Sequence, residues 1–117
     1  MSAQTTITAR DVNEAILDLR QRALKVHDDL RHFAAQCYIR REIQASENNT
    51  DLAEHMETLR ARAERRGAEA FEMVKWADEA YTDWIMGRLS PKELIGNVHM
   101  AHEMLTHIEH PAAGSAA

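Results

Sequence analysis

The stretch "VNEAILDLRQRALKVHDDLRHFAAQC", residues 12–37, decides the fold. Its apolar side chains recur at alternating spacings of four and three residues, the pattern by which two α-helices pack along a left-handed seam. The pattern therefore predicts a long helix that pairs with a second one in the manner of a coiled coil. The predicted seam residues are Val12, Ile16, Leu19, Ala23, Val26, Leu30, Phe33 and Cys37.

A second long helix is predicted on the far side of one polar cluster. No glycine or proline lies between Thr8 and Arg66, so "ASENNTD", residues 45–51, is the only turn-forming cluster in that range. Thr8 and Asp11 form a variant of the capping box and mark the start of the first helix. We expect helices over residues 8–46 and 50–87. The expected inward positions of the second helix are Leu52, Met56, Leu59, Ala63, Gly67, Ala70, Val74, Ala77, Tyr81 and Trp84.

Gly67 leaves two interpretations of the second helix open. A glycine inside a continuous helix would let the first helix approach closely, whereas a break at this position would give four helices. An interior glycine costs only ~1 kcal/mol relative to alanine. The neighbouring Ala63 and Ala70 favour the close approach.

A third helix is marked by the stretch "LSPKEL", residues 89–94. Ser90 is the expected N-cap, Pro91 the first helical residue and Glu93 the partner in a capping box. The helix should run over residues 90–110, followed by a disordered tail at 111–117. The expected fold is a single all-α domain, residues 1–117, made of a long antiparallel helical hairpin and a shorter third helix.

The third helix is too short to cover the whole hairpin. We expect it to pack on the half that contains Leu17 and Leu24, which widen the apolar surface of the first helix there. The loop-side half then lacks a third layer, and Tyr38, Ile39 and Ile43 face outward from the seam. This gap predicts a homodimer in which the two uncovered halves form a helical bundle.

Composition limits the classes of partner. The chain of 117 residues carries a net charge of -5, so a nucleic-acid partner is not expected, because phosphate binding needs a basic surface. No apolar run approaches the roughly 20 residues that span a bilayer, so no membrane partner is expected. "MSAQTTITARD", residues 1–11, lacks the apolar centre of a signal peptide, and the single Cys37 cannot form an internal disulfide. The expected location is the cytoplasm.

The histidine-rich helix, residues 99–110, is a candidate metal site. His99, Glu103 and His107 recur every four residues, a spacing by which one helix can offer ligands to zinc, nickel or copper. Two alternatives remain open: a solvated helix face and a pH-sensitive or partner-binding surface. A helical wheel directs the histidines, His102 included, away from the protomer's own core. One helix supplies too few ligands for a tight site, so no resident cofactor is expected.

Clustered arginines are the second candidate site. Arg60, Arg62, Arg65 and Arg66 lie close together in the second helix, and Arg40 and Arg41 lie at the paired end of the first. Such a group could bind an acidic partner or a phosphate group. The alternative is a solvated face in which the arginines pair with nearby glutamates.

Three classes of function follow from these features. The first is a small dimeric protein-interaction module: an adaptor, regulator or inhibitor of another macromolecule. The second is a metal-binding or metal-sensing protein that uses the histidine cluster. The third is a small all-α enzyme with the architecture of a chorismate mutase, although the apolar seam leaves no cations for a dicarboxylate. The sequence contains no catalytic signature, so an enzyme is not expected.

Overall fold

The computed structural model describes residues 6–111 as three α-helices. They are α1 (Ala9–Ser46), α2 (Thr50–Ile85) and α3 (Pro91–Glu109), and no strand occurs within this range. The all-α class, the long hairpin and the shorter third helix are confirmed, with helix ends within two residues of those expected. The predicted disordered tail lies outside the described residues from position 112 onward.

The expected side-chain caps are present at the starts of α1 and α3, but the predicted capping box is complete only at α1. The backbone N–H of Asp11 donates to Thr8 Oγ1 at 3.1 Å, and that of Thr8 donates to Asp11 Oδ2 at 2.9 Å, which completes the capping box of α1. Ser90 Oγ accepts from the backbone N–H of Glu93 at 3.2 Å, directly before Pro91. These caps satisfy amide groups that would otherwise lack partners.

The core lies at the end of the hairpin that α3 covers. The hairpin makes the molecule 69 Å long and only 17 Å in its thinnest dimension. Three of the largest fully buried side chains of the molecule are Leu19 of α1 and Leu94 and Leu105 of α3. The main core cluster extends over α1 as far as Val26 and over α2 from Ala70.

The remainder of the hairpin, residues 30–66, is here called the distal half. Its buried side chains are small: Ala34, Cys37 and Ala63. Hydrophobic stabilisation scales with buried apolar area, so this half contributes less to the core.

Helix α2 continues through Gly67, which confirms the interpretation of close approach. A Cβ added there would lie 3.6 Å from Leu30 Cβ, and His27 Nδ1 donates to the Gly67 carbonyl at 2.9 Å. The two helices are therefore in direct contact at this level.

Three of the predicted inward positions were wrong: Phe33, Tyr81 and Leu52, of which Leu52 is 50% exposed at the start of α2. Phe33 is 40% exposed and Ala34 is buried in its place. Tyr81 is likewise exposed beside the buried Ala80. The reason at the two aromatic positions is the close helix approach, which favours an alanine over an aromatic ring at the contact.

The expected cover of Leu17 by α3 was also wrong. Leu17 is 52% exposed, whereas Leu24 does pack against the core. Helix α3 contacts α1 along the edge that carries Arg22, as its hydrogen bonds to three residues of α3 show. Within residues 6–111, none of the helices is long and apolar enough to cross a membrane.

Candidate functional site

The outer surface of the distal half carries large apolar side chains. Tyr38, Ile39 and Ile43 of α1 are exposed, as is Leu52 at the start of α2. The expectation that the first three face outward is confirmed. Helix α3 does not cover them, because its C-terminal end lies against Arg66, at the border of the distal half.

Two of the six candidate arginines share the carboxylate of Glu57, and of these Arg41 joins α1 to α2. Arg41 and Arg60 both hydrogen-bond to the Glu57 carboxylate, and Arg41 also pairs with Glu42 at 3.0 Å. The two cations lower the pKa of Glu57 to about 2, chiefly through the hydrogen bond from Arg60. The Arg41 guanidinium also lies 4.6 Å from the centre of the Tyr38 ring. Both arginines are therefore engaged within the protomer.

A third candidate, Arg66, holds the end of α3. Its Nε donates to the Ile108 carbonyl at 2.8 Å, and Nη2 donates to the carbonyls of Ile108 and Glu109. Carbonyl groups in the last turn of a helix have no intrahelical partners and carry the negative end of the helix dipole. Arg66 thus fixes α3 to the hairpin.

The other three candidates are exposed. Arg40, Arg62 and Arg65 form no ion pair and no side-chain hydrogen bond with any residue between positions 6 and 111. The arginine cluster predicted from the sequence is therefore divided into three structural residues and three that remain available to a partner.

A groove of about 740 Å³ lies where α3 ends on the hairpin. Its apolar lining comes from all three helices. Charged residues of α2 line it as well, with the basic ones nearer the hairpin loop. The lining includes Phe33, Leu59, Ala63, Met73, Met104 and Ile108, with Arg62, Arg65, Arg66, Glu69, Glu72 and His107 as its charged and titratable members.

The histidines of α3 occupy different surroundings. His99 Nε2 lies 3.1 Å from Glu103 Oε1 and both side chains are exposed, whereas His107 lines the groove. Nowhere in the described part of the chain do three or more His, Cys, Asp or Glu residues come together in a metal-binding arrangement. Met104 of the same helix is exposed.

His102 does not face away from the protomer as expected. Arg22 of α1 makes five hydrogen bonds to α3: two to Glu109 Oε1 at 2.8 and 3.1 Å, one to Thr106 Oγ1 at 2.9 Å, and one each to the His102 carbonyl and Nδ1 at 3.1 and 2.9 Å. A guanidinium has five N–H donors and no acceptor, so all its donors are used and His102 Nδ1 must accept. This requires the neutral His102 tautomer that carries its proton on Nε2.

Only a weak signal for this contact between Arg22 and α3 is present in the sequence. His102, Thr106 and Glu109 share one side of α3 by their spacing of four and three residues, but Arg22 alone does not indicate which helix it meets.

Burial lowers the pKa of His102, and the Arg22 charge lowers it further. The network therefore stabilises the docking of α3 while His102 is neutral.

Comparison with protein-family models, curated proteins and solved structures gave no match to this chain.

Proposed function

We propose that this protein is a helical, homodimeric protein-interaction module that acts as an adaptor, regulator or inhibitor and not as a catalyst. Its surface for another protein is the outer side of distal α1, with Tyr38, Ile39 and Ile43 as apolar contacts and Arg40 as the charged one. The observation that supports this most directly is the exposure of these three apolar side chains in the half that α3 leaves uncovered.

The chemistry of this surface favours a protein partner with apolar and acidic side chains. Burying an Ile or Tyr side chain is worth about 1.5–3 kcal/mol, so a partner that covers these residues would gain binding free energy. Tyrosine and arginine are also enriched at the centres of protein interfaces. Arg40 has no ion-pair partner among residues 6–111 and would attract a carboxylate. On this proposal the protein works in the cytoplasm, where the thiol of Cys37 stays reduced.

A pair of variants with matched exposure tests the proposal. Ile39→Lys places a charge on the proposed surface, and Leu17→Lys places one on α1 outside it; the two native side chains are 58% and 52% exposed. Wild-type protein and both variants would be immobilised, and the proteins they retain from a cell extract would be quantified by mass spectrometry. Circular dichroism would check that all three remain folded.

The expected result is a partner retained by the wild type and by Leu17→Lys but lost with Ile39→Lys. Direct titration of the purified partner should give the same order of affinities. Equal retention by both variants would contradict the proposed surface.

A further inference from the structure

Four charged residues of α2 form a stripe along the groove. Arg62, Arg65, Glu69 and Glu72 follow one another at spacings of three, four and three residues, which places them on one side of the helix. All four are exposed and line the groove. The stripe is therefore basic towards the hairpin loop and acidic towards the other end of the molecule.

The order of these charges is self-complementary in an antiparallel pair. When two copies of one helix pair about a two-fold axis, a residue before the axis faces the residue at the same distance after it. With the axis at Gly67, Arg65 and Glu69 are each two positions away, and Arg62 and Glu72 are each five. Each arginine of one copy then faces a glutamate of the other, and no like charges meet.

We propose that a second copy of this chain binds at the groove, with the two α2 helices antiparallel about a two-fold axis at Gly67. Arg65 pairs with Glu69, and Arg62 with Glu72, of the other copy. This rests on the homodimer proposed above and assigns its interface. It also leaves the outer side of distal α1 free for a different protein.

The contacts within one protomer leave most of the stripe available. Arg62, Arg65 and Glu69 have no ion-pair partner in residues 6–111, and Glu72 pairs only with the exposed Lys75 at 3.1 Å. An ion pair between Arg65 and Glu69 of the same helix would compete with the proposed pairing between the two copies. Arginine preceding glutamate is the weaker orientation for such a pair, since it opposes the helix dipole.

The apolar lining and the charges have separate roles in this interface. Phe33 and Met104 are exposed beside the stripe, and their burial against the second copy supplies the affinity. Exposed ion pairs add little free energy but penalise wrong alignments, so the stripe fixes the register.

The register differs from the pairing of two uncovered halves that the sequence suggested. With the axis at Gly67, the distal half of one copy lies beside the α3-covered half of the other. Charge reversal can therefore test this alignment specifically.

The test uses two complementary variants and their combination. One variant carries Arg62→Glu and Arg65→Glu, the second carries Glu69→Arg and Glu72→Arg, and the third carries all four changes. Multi-angle light scattering and analytical ultracentrifugation over a micromolar concentration series would give the dimer dissociation constant. Circular dichroism would confirm that each variant keeps the helical fold.

Each double variant should dimerise at least about tenfold more weakly than the wild type, equivalent to ~1.4 kcal/mol. An equimolar mixture of the two should form a heterodimer, and the fourfold variant should recover the wild-type dissociation constant, because both restore opposite charges at every pair. A monomeric wild type would overturn the proposal.

Two other results would overturn it and leave the surface on distal α1 untouched. One is a wild-type dimer that neither double variant weakens, which would place the interface elsewhere. The other is a loss of dimer in both double variants without recovery in the mixture or in the fourfold variant. The Ile39→Lys comparison reports on the other surface, so failure of one proposal is distinguishable from failure of the other.

Discussion

Replacement of Arg22 by methionine should release α3 selectively from the hairpin. Methionine keeps much of the apolar stem of arginine but removes the guanidinium, which makes five hydrogen bonds to His102, Thr106 and Glu109. The acceptor groups of His102, Thr106 and Glu109 would then hydrogen-bond to water instead. No comparable number of polar contacts joins α1 to α3 elsewhere in residues 6–111.

The expected loss follows from these contacts. The ion pair between Arg22 and Glu109 leaves 32% of each side chain exposed, so solvent screening limits it to about 1 kcal/mol. The bonds to Thr106 and to the two His102 acceptors contribute at least about 0.5 kcal/mol each. Arg22→Met should therefore lower the free energy of unfolding by about 2–3 kcal/mol.

Arg20→Met is the matched control, because Arg20 lies on the same helix and makes one exposed ion pair, with Asp78 at 2.8 Å. Arg20→Met should lower the free energy of unfolding by no more than about 1 kcal/mol. Urea unfolding would measure both variants, and hydrogen exchange should show amide protection falling mainly in α3 for Arg22→Met. Equal losses for the two variants, or protection lost uniformly over the three helices, would refute the role assigned to Arg22.

Three further predictions concern the core and the histidines. Lowering the pH through the ordinary histidine pKa of about 6.5 should destabilise the protein, because the folded state holds the pKa of His102 below that value and the unfolded chain then binds the proton more readily. His102→Gln should show a smaller loss in urea unfolding over that range, and an identical slope would contradict this. Leu19→Ala should lower the free energy of unfolding by about 2–5 kcal/mol, because the Leu19 side chain is fully buried. Phe33→Ala should lower it by only about 1 kcal/mol, because Phe33 is exposed. A larger loss for Phe33→Ala than for Leu19→Ala would contradict the revised seam. Zinc should leave the melting temperature unchanged, because one helix offers too few ligands; a rise that disappears in a variant with His99→Gln and His107→Gln would establish the metal site instead.

The sequence predicted the helices well because their signals are local. The capping residues Thr8 and Ser90 and the lack of helix breakers up to Arg66 depend only on neighbouring residues. The seam was predictable where large aliphatic side chains meet, as at Leu19. It failed at Phe33, where small residues on the facing helix decide which side chain fits, and that information lies far away in the sequence.

The candidate sites were harder to predict because an arginine can serve either a fold or a partner. The cluster from Arg60 to Arg66 looked uniform in the sequence, yet Arg60 binds Glu57 and Arg66 binds the end of α3. Arg62 and Arg65, by contrast, have no partner within residues 6–111. Helix periodicity indicates which side of α2 each residue occupies. It cannot indicate where on the hairpin the C-terminal end of α3 lies, and that position determines the role of Arg66.

The uneven distribution of charge along the chain links these observations. Residues 67–117 carry 3 basic and 8 acidic side chains, whereas residues 1–66 carry 11 of each. Two arginines of the neutral segment, Arg22 and Arg66, hold the acidic segment within one protomer by binding the C-terminal turn of α3. Arg62 and Arg65 offer the same type of attraction but have no acidic partner among residues 6–111. In the proposed dimer the acidic end of α2 from the other copy supplies this partner, so the attraction that holds α3 within one chain would also hold two chains together.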